Sequence, residues 1–408
     1  MLPTLLIACV QPPNDGGPKE GADAPPTFYA DVRPILDLNC ARCHTDGGPA
    51  PSFDAAEDVV AMAGAIKSYT QAGVMPLAAP DPDCADYVGS ERLVLADEDA
   101  AVLAAWADAG APLGDPADAP VPVAPLSTAP FDATVAAAVP YTPEFGDADN
   151  AYRCFTVPLG NEADVFLTGM EPVLDNHALV HHVLLARDTS GETSTDPGGY
   201  ACSGLGEPNW DLLGAWGPGG IPTTFPDGLG MRIPADAKLV LQIHYFAGDL
   251  GGADQTGVGL HLADAVDHEV RIDPLGPTGF TIPAGDPAYS ETASYQFGPS
   301  MAGYTILGVW PHMHVLGSAF SARVLPRRSD EEVCLVRTDR YDFHNQVTVM
   351  LKEPHVLDSG MDTLEITCTW DNSADNPAQL VDPPQDVGYG EETGNEMCFG
   401  FTYGYLPE

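Results

Sequence analysis

His312 and His314 stand one residue apart in Trp310-Pro311-His312-Met313-His314. On an extended strand side chains alternate with period two, so both imidazoles leave the same face and one metal ion can take both. Imidazole serves copper, zinc, iron and nickel alike, whereas a thioether added to the pair favours copper(I) over zinc. Met397, in Glu396-Met397-Cys398, offers that thioether. Alone, such a pair is more often a solvated strand face and such a methionine a core residue. The balance changes upstream. His181 and His182 are neighbours in Val180-His181-His182-Val183-Leu184-Leu185, and His244 lies in Leu239-Val240-Leu241-Gln242-Ile243-His244-Tyr245-Phe246. Both runs are aliphatic and bounded by Gly, Pro and Asp, which predicts strands. In the second, Leu239, Leu241, Ile243 and Tyr245 form one face, and Gln242 and His244 the other. Neighbours on a regular strand point to opposite faces. His181 and His182 can therefore share an ion only if the strand is bulged or twisted there, or if one ring binds through Nδ1 and the other through Nε2.

A second set of reactive groups is Cys40-Ala41-Arg42-Cys43-His44. Cys-x-x-Cys-His is the attachment motif of c-type haem: two thiols add to the vinyl groups, and the histidine becomes an axial iron ligand. In isolation the same residues also fit a chance thiol pair, a disulfide or half of a zinc site. Their setting decides between these. Phe28, Val32, Ile35 and Leu36 have helical spacing before the motif, and residues 53–70 predict a helix after it. Met75-Pro76 then falls in a loop, where Met75 can give the second axial ligand; Met62 lies mid-helix and reads as core. Asp97, Glu98 and Asp99 open a last helix whose apolar face is Val102, Leu103, Trp106 and Ala107, with Gly110 closing it. In this order the elements of residues 27–115 resemble a small all-α cytochrome c domain along their whole length. Six-coordinate haem of this type implies electron transfer, and its covalent attachment implies maturation outside the cytoplasm.

With 408 residues the chain has room for two or three domains. It carries 42 Gly and 40 Pro, and helical periodicity is sparse after residue 115, so short strands and turns are expected there. Lys and Arg number 16 against 59 Asp and Glu, a net charge of −43 that repels nucleic acid and anionic lipid head groups. Such a surface serves solubility, and it also suits docking of a basic redox partner protein. Cys9 ends Leu6-Ile7-Ala8-Cys9, which resembles the lipobox of a bacterial lipoprotein, although the preceding residues lack Lys and Arg and form only a short apolar core. Residues 1–9 are then a signal remnant with Cys9 lipidated, 10–26 a disordered tether, and 116–146, dense in Pro and Ala, a linker. No later run reaches the ~18 apolar residues of a spanning helix, so membrane contact is expected only through the lipid anchor.

The order His-His-x-Leu-Leu, Leu-Gln-x-His-Tyr, His-x-His-x-Leu-Gly and Glu-Met-Cys, with Pro226-Asp227-Gly228-Leu229-Gly230 before the His244 strand, resembles the copper type II ascorbate-dependent monooxygenases. The likeness covers residues ~147 to 408. It implies a mainly β fold, with jelly-roll-like β-sandwich domains at 147–272 and 273–408, each presenting a copper toward a solvent-filled cleft. One copper takes His181, His182 and His244 and stores an electron. The other takes His312, His314 and Met397, activates O2 and is the catalytic one. The implied reaction is hydroxylation of a small organic substrate at carbon, with ascorbate or another external reductant as electron source; the fused haem could take that role. The resemblance also pairs Cys368 with Cys398. Cys84, Cys154, Cys202 and Cys334 stay open, with three pairings among them.

Departures from the family pattern bear on substrate. Trp310 stands where peptide-hydroxylating members carry a carboxylate-gripping arginine, and Phe399 and Phe401 replace polar groups after the methionine ligand. Alternation puts Phe399, Phe401, Tyr403 and Tyr405 on the face of Met397, and Trp310 on that of His312 and His314. Trp310, Phe399, Phe401 and Tyr403 are thus candidates for an apolar, aromatic pocket, and a glycine-extended peptide is not the expected substrate. His261, His268, His344 and His355 have no spaced partners and read as surface residues. His177 is an alternative ligand if His181 and His182 cannot both reach one ion. The combined reading is an extracytoplasmic, lipid-anchored, haem-fused copper monooxygenase in the periplasm or at the cell surface. The alternative is an electron-transfer or copper-binding lipoprotein without oxygenase activity.

Overall fold

The computed structural model describes residues 24–77, 80–122, 129–145, 150–202, 209–246, 251–358 and 361–407. Cys9, the signal remnant and most of the tether lie outside the described residues. The N-terminal part is helical. Asp97–Asp108 begins with three acidic residues against the positive end of the helix, and Gly110, at φ 85°, takes the left-handed position just past its end. Trp106 and Leu103 of this helix are buried against Phe28, Val32 and Leu36. The single helix expected over 53–70 is two, Ala56–Ala61 and Ala63–Gln71. The Phe53 N–H goes to the His44 carbonyl at 3.0 Å, which keeps the segment before Ala56 out of the helix. Met62 leaves helical geometry at the junction, so Val59 and Ile66 both turn into the same core.

Two β-sandwich units follow. The first sets a five-stranded sheet, in the order Tyr200–Ala201, Asn150–Pro158, Lys238–Phe246, Val180–Asp188, Trp210–Trp216, against a six-stranded one. The latter runs Ala133–Ala136, Gly257–Ala263, Val165–Val173, Leu229–Ile233, His268–Glu269, with Thr223–Thr224 beside Val165–Val173. Ala133–Ala136, expected inside a linker, is an edge strand paired with Gly257–Leu260. Its Val135 enters the core, and that burial outweighs the surrounding Pro and Ala content. The second unit pairs the sheet Arg271–Leu275, Cys398–Tyr405, Thr305–Met313, Val349–Val356 with Tyr289–Gln296, Thr363–Trp370, Gly317–Leu325, Val333–Thr338. In Thr363–Trp370 the alternation is clean, with Leu364, Ile366, Cys368 and Trp370 fully buried and their neighbours half-buried.

Thr305–Met313 is buried on both faces. One face joins the second core through Ile306 and Met313; the other, through Leu307 and Trp310, joins Met397, Phe399, Phe401 and Tyr403 in the core of the first sandwich. The two sandwiches therefore share an apolar interior. The helical part is fastened to the second sandwich by the Cys84–Cys334 disulfide, by Arg337 paired with Asp81 and by a bridge between Tyr87 and Leu351. Tyr87 is fully buried in that sandwich's core. The four open cysteines pair as Cys84–Cys334 and Cys154–Cys202, and Cys368–Cys398 forms as the resemblance implied. Among the described residues no helix is long and apolar enough to cross a membrane.

Candidate metal centre

His182 faces His244 across the sheet, while Val180 faces Tyr245, so two steps on one strand match one on the other. That is the bulge which the adjacent histidines required. It turns His181 to the same side as His182. The Nδ1 atoms of His181 and His244 lie 3.4 and 3.3 Å from Nδ1 of His182. For metal–nitrogen bonds of about 2.0 Å, ligands at tetrahedral to trigonal angles stand about 3.3–3.5 Å apart, so this spacing fits one shared ion. Burial, helped by neighbouring histidines, pushes the pKa of His181 down to about 3 and those of His182 and His244 well below the ordinary value. Neutral rings with converging lone pairs are what a cation needs. The strand face carrying Gln242 and His244, polar in sequence, is wholly buried. Tyr152 stacks on His244 at 4.1 Å and holds that ring in place.

The second pair is oriented by different means. Gln346 Nε2 donates to the Phe343 carbonyl at 3.1 Å, which fixes the amide so that Oε1 accepts from His312 Nδ1 at 2.6 Å. His314 Nδ1 donates to the Asn395 carbonyl at 3.0 Å. Both protons thus sit on Nδ1, leaving each Nε2 as the free lone pair. Burial lowers the pKa of His312 to about 3. Met397 is buried and directly precedes Cys398, the register partner of Met313, so it stands at the same end of this strand pair as His314. Glu396 anchors that end: its buried carboxylate accepts from the backbone N–H groups of His314 and Leu316 and from Trp370 Nε1, at 3.0, 2.7 and 2.9 Å. Burial nevertheless pushes its pKa up to about 8.

Cross-strand pairing puts His312 opposite Phe399 and Trp310 opposite Phe401, so the aromatic set and the histidines share one face. Trp310 stacks on Phe401 at 4.5 Å and lies 5.2 Å from His312. These rings, with Tyr403, are buried in the shared interior. The space between the two histidine sets also departs from the open cleft that the resemblance implied. Phe343 occupies part of it, its ring 4.4 Å from His181 and 6.3 Å from His314.

Cys40, Cys43, His44 and Met75 line one cavity of about 530 Å³. The far wall comes from the sandwiches and includes His177, His181, Phe246, His344 and Asn345. Both thiols are free, which removes the disulfide reading of the motif. Burial pushes the Cys40 thiol up to about 12. His44 Nδ1 donates to the Pro51 carbonyl at 2.8 Å, so Nε2 is its free lone pair, and the ring stacks on Phe53 at 4.0 Å. A roomy apolar cavity with two free thiols, an oriented imidazole and a thioether fits a covalently held haem.

Residues 139–250 match the copper type II ascorbate-dependent monooxygenase N-terminal domain, and residues 289–408 match the C-terminal domain of the same family. Together the two stretches span more than half of the chain. The chain belongs to this family. It is therefore a copper-dependent monooxygenase, an oxidoreductase, and the alternative without oxygenase activity falls away. Three disulfides fit a protein exposed to an oxidising, extracellular setting. Of the remaining histidines in this monooxygenase, His261 pairs with Glu171 at 3.2 Å and His268 stacks on Tyr405 at 5.1 Å. His177 lines the cavity but is outside the three-histidine cluster. Phe343, His344 and Gln346 were not legible as site residues; their segment has no motif, and only the fold brings it to the histidines.

Proposed function

We propose that this monooxygenase carries its own electron supply as a covalent c-type haem and hydroxylates a C–H bond of an apolar or aromatic organic substrate with O2. His181, His182 and His244 would hold one copper and His312, His314 and Met397 the other, which would supply the O2 chemistry. Cys40 and Cys43 would attach the haem, and His44 and Met75 would bind its iron. When bound, the coppers supply O2 activation and two stored electrons, and the haem supplies the electrons that replace them, the role otherwise filled by ascorbate or another external reductant. The observation that carries this reading is the shared cavity: the attachment motif forms one wall, and His181, a member of the three-histidine cluster, forms part of the other.

The chain's own residues do the positioning. Gln346 and Asn395 keep a proton on Nδ1 of His312 and His314, which leaves Nε2 as the nitrogen that would bind metal. Trp310, Phe399, Phe401 and Tyr403 make an apolar surround that excludes water, and the absence of an arginine at position 310 removes the grip on a substrate carboxylate. The haem-binding part spans 27–115, and the copper-binding parts follow up to residue 408. Lipid attachment at Cys9 keeps the enzyme in the periplasm or at the cell surface, where a redox partner protein reduces it.

Expression with haem maturation, followed by metal analysis, should give two coppers and one covalent haem per chain. Anaerobic reduction and addition of O2, over a panel of aromatic and aliphatic compounds, should yield a hydroxylated product. Turnover of glycine-extended peptides, or a chain without covalent haem, would count against the reading.

A further inference from the structure

One loop, joining the strands Val333–Thr338 and Val349–Val356, touches all three centres. Asn345 Nδ2 donates to the Leu77 carbonyl on the Met75 side of the cavity. Gln346 holds His312, and Phe343 and His344 pack on His181 at 4.4 and 5.4 Å. The loop is fixed at its start as well, because the Tyr341 hydroxyl accepts from the Met313 N–H and donates to the Met313 carbonyl, both at 2.9 Å. Phe343 itself is buried, and its carbonyl accepts from the same Gln346 side chain that orients His312. Its position is thus set by both histidine sets.

Resting on the reading above, we propose that Phe343 is the coupling residue for electron transfer inside this molecule. The path runs from the haem cavity through His181, then across the Phe343 ring to His314, with ring centroids 4.4 and 6.3 Å apart. The haem side abuts the copper side closely: a Cβ added to Gly219 would lie 3.2 Å from Cys43 Sγ and 3.3 Å from Asn345 Oδ1. Each step moves one electron. Iron(II) in the haem becomes iron(III) as copper(II) at the three histidines becomes copper(I), and that electron then passes to copper(II) held by His312 and His314. No bond or proton changes hands, and an extracytoplasmic one-electron donor restores the iron(II). Phe343 binds no metal, so it acts as a positioning and coupling residue.

The test uses the full chain loaded with haem and copper. A substoichiometric pulse of a small one-electron reductant is given anaerobically, with haem absorbance followed by stopped flow and copper(II) by freeze-quench paramagnetic resonance. Phe343→Leu, which keeps apolar volume but removes the ring, should slow the loss of copper(II) at the His312/His314 site several-fold or more while reduction of haem by the pulse keeps its rate. Phe343→Tyr should restore the rate. Unchanged transfer in Phe343→Leu, or equal slowing in the leucine and tyrosine variants, overturns the proposal. Should Phe343→Leu fail to fold or to bind copper, Phe343→Tyr alone decides: a rate well below wild type at full copper content also overturns it. A wild-type chain without covalent haem would instead sink the reading beneath the proposal. That outcome is seen on a denaturing gel before any kinetics, so the two failures are distinguishable.

Discussion

At the scale of single residues, the two histidine sets use opposite ring nitrogens, and the hydrogen bonds around them decide which. Gln346 donates to the Phe343 carbonyl and accepts from His312. Gln346→Leu removes that acceptor without adding charge, and is expected to weaken copper at the His312 site by roughly 10–100-fold, read by competitive chelator titration. The three-histidine copper should keep its affinity. Protons give a second test. His181 and His312 are held down to about 3 by burial, and His182 and His244 lower than usual, whereas in the unfolded chain such groups titrate near 6.5. Between those values the unfolded chain of the copper-free protein binds more protons than the folded one. Stability is therefore full above about pH 6.5 and is lost as pH falls toward about 3, by up to about 1.4 kcal/mol per pH unit for each such histidine. The melting temperature of copper-free protein should drop steeply below about pH 6.5 and less steeply in His312→Leu; a flat acid profile would contradict the burial of neutral rings.

At the scale of elements, a bulge and a bridge do most of the positioning. The register shift between Val180 and His182 is what lets neighbouring side chains meet one ion. The Cys84–Cys334 disulfide, closing a sequence separation of 250, fixes the helical part against the Val333–Thr338 strand. Removing it as Cys84→Ser with Cys334→Ser should cost about 2–5 kcal/mol of stability, measured by denaturant unfolding. The Cys368–Cys398 pair, beside Met397, should instead affect copper retention more than the docking of the helical part. Both bridges were within reach of cysteine counting, but only the resemblance favoured one of them.

For the whole molecule, the N-terminal helical part is no tethered appendage, since Tyr87 sits in the core of the second sandwich and the cavity is walled by both halves. Electron supply should then be intramolecular. Met75→Leu removes the thioether from the cavity while keeping its volume. It is expected to slow reduction of both coppers by a physiological donor while leaving turnover with excess chemical reductant near wild type. Equal loss with both supplies would mean that the N-terminal helical part serves assembly only. If the donor is a basic protein, as the net charge of −43 favours, the rate of that reduction should fall with added salt.

The sequence by itself determined the chemistry available: His-x-His with Met397, the His181-His182 pair with His244, and Cys-x-x-Cys-His are local patterns whose spacing limits what they can bind. It also determined the mainly β half, because alternation and turn residues act over a few positions. Tertiary structure alone decided what lies between those patterns. The Phe343–Gln346 stretch has no signature, Ala133–Ala136 reads as linker, and the partners of Cys84 and Cys154 lie 250 and 48 residues away in the chain. These follow from which apolar faces bury each other, a property of the whole packing that no short window contains. The His314 side of the site is held in the same way, by a carboxylate, an indole and a disulfide that meet only in the folded chain.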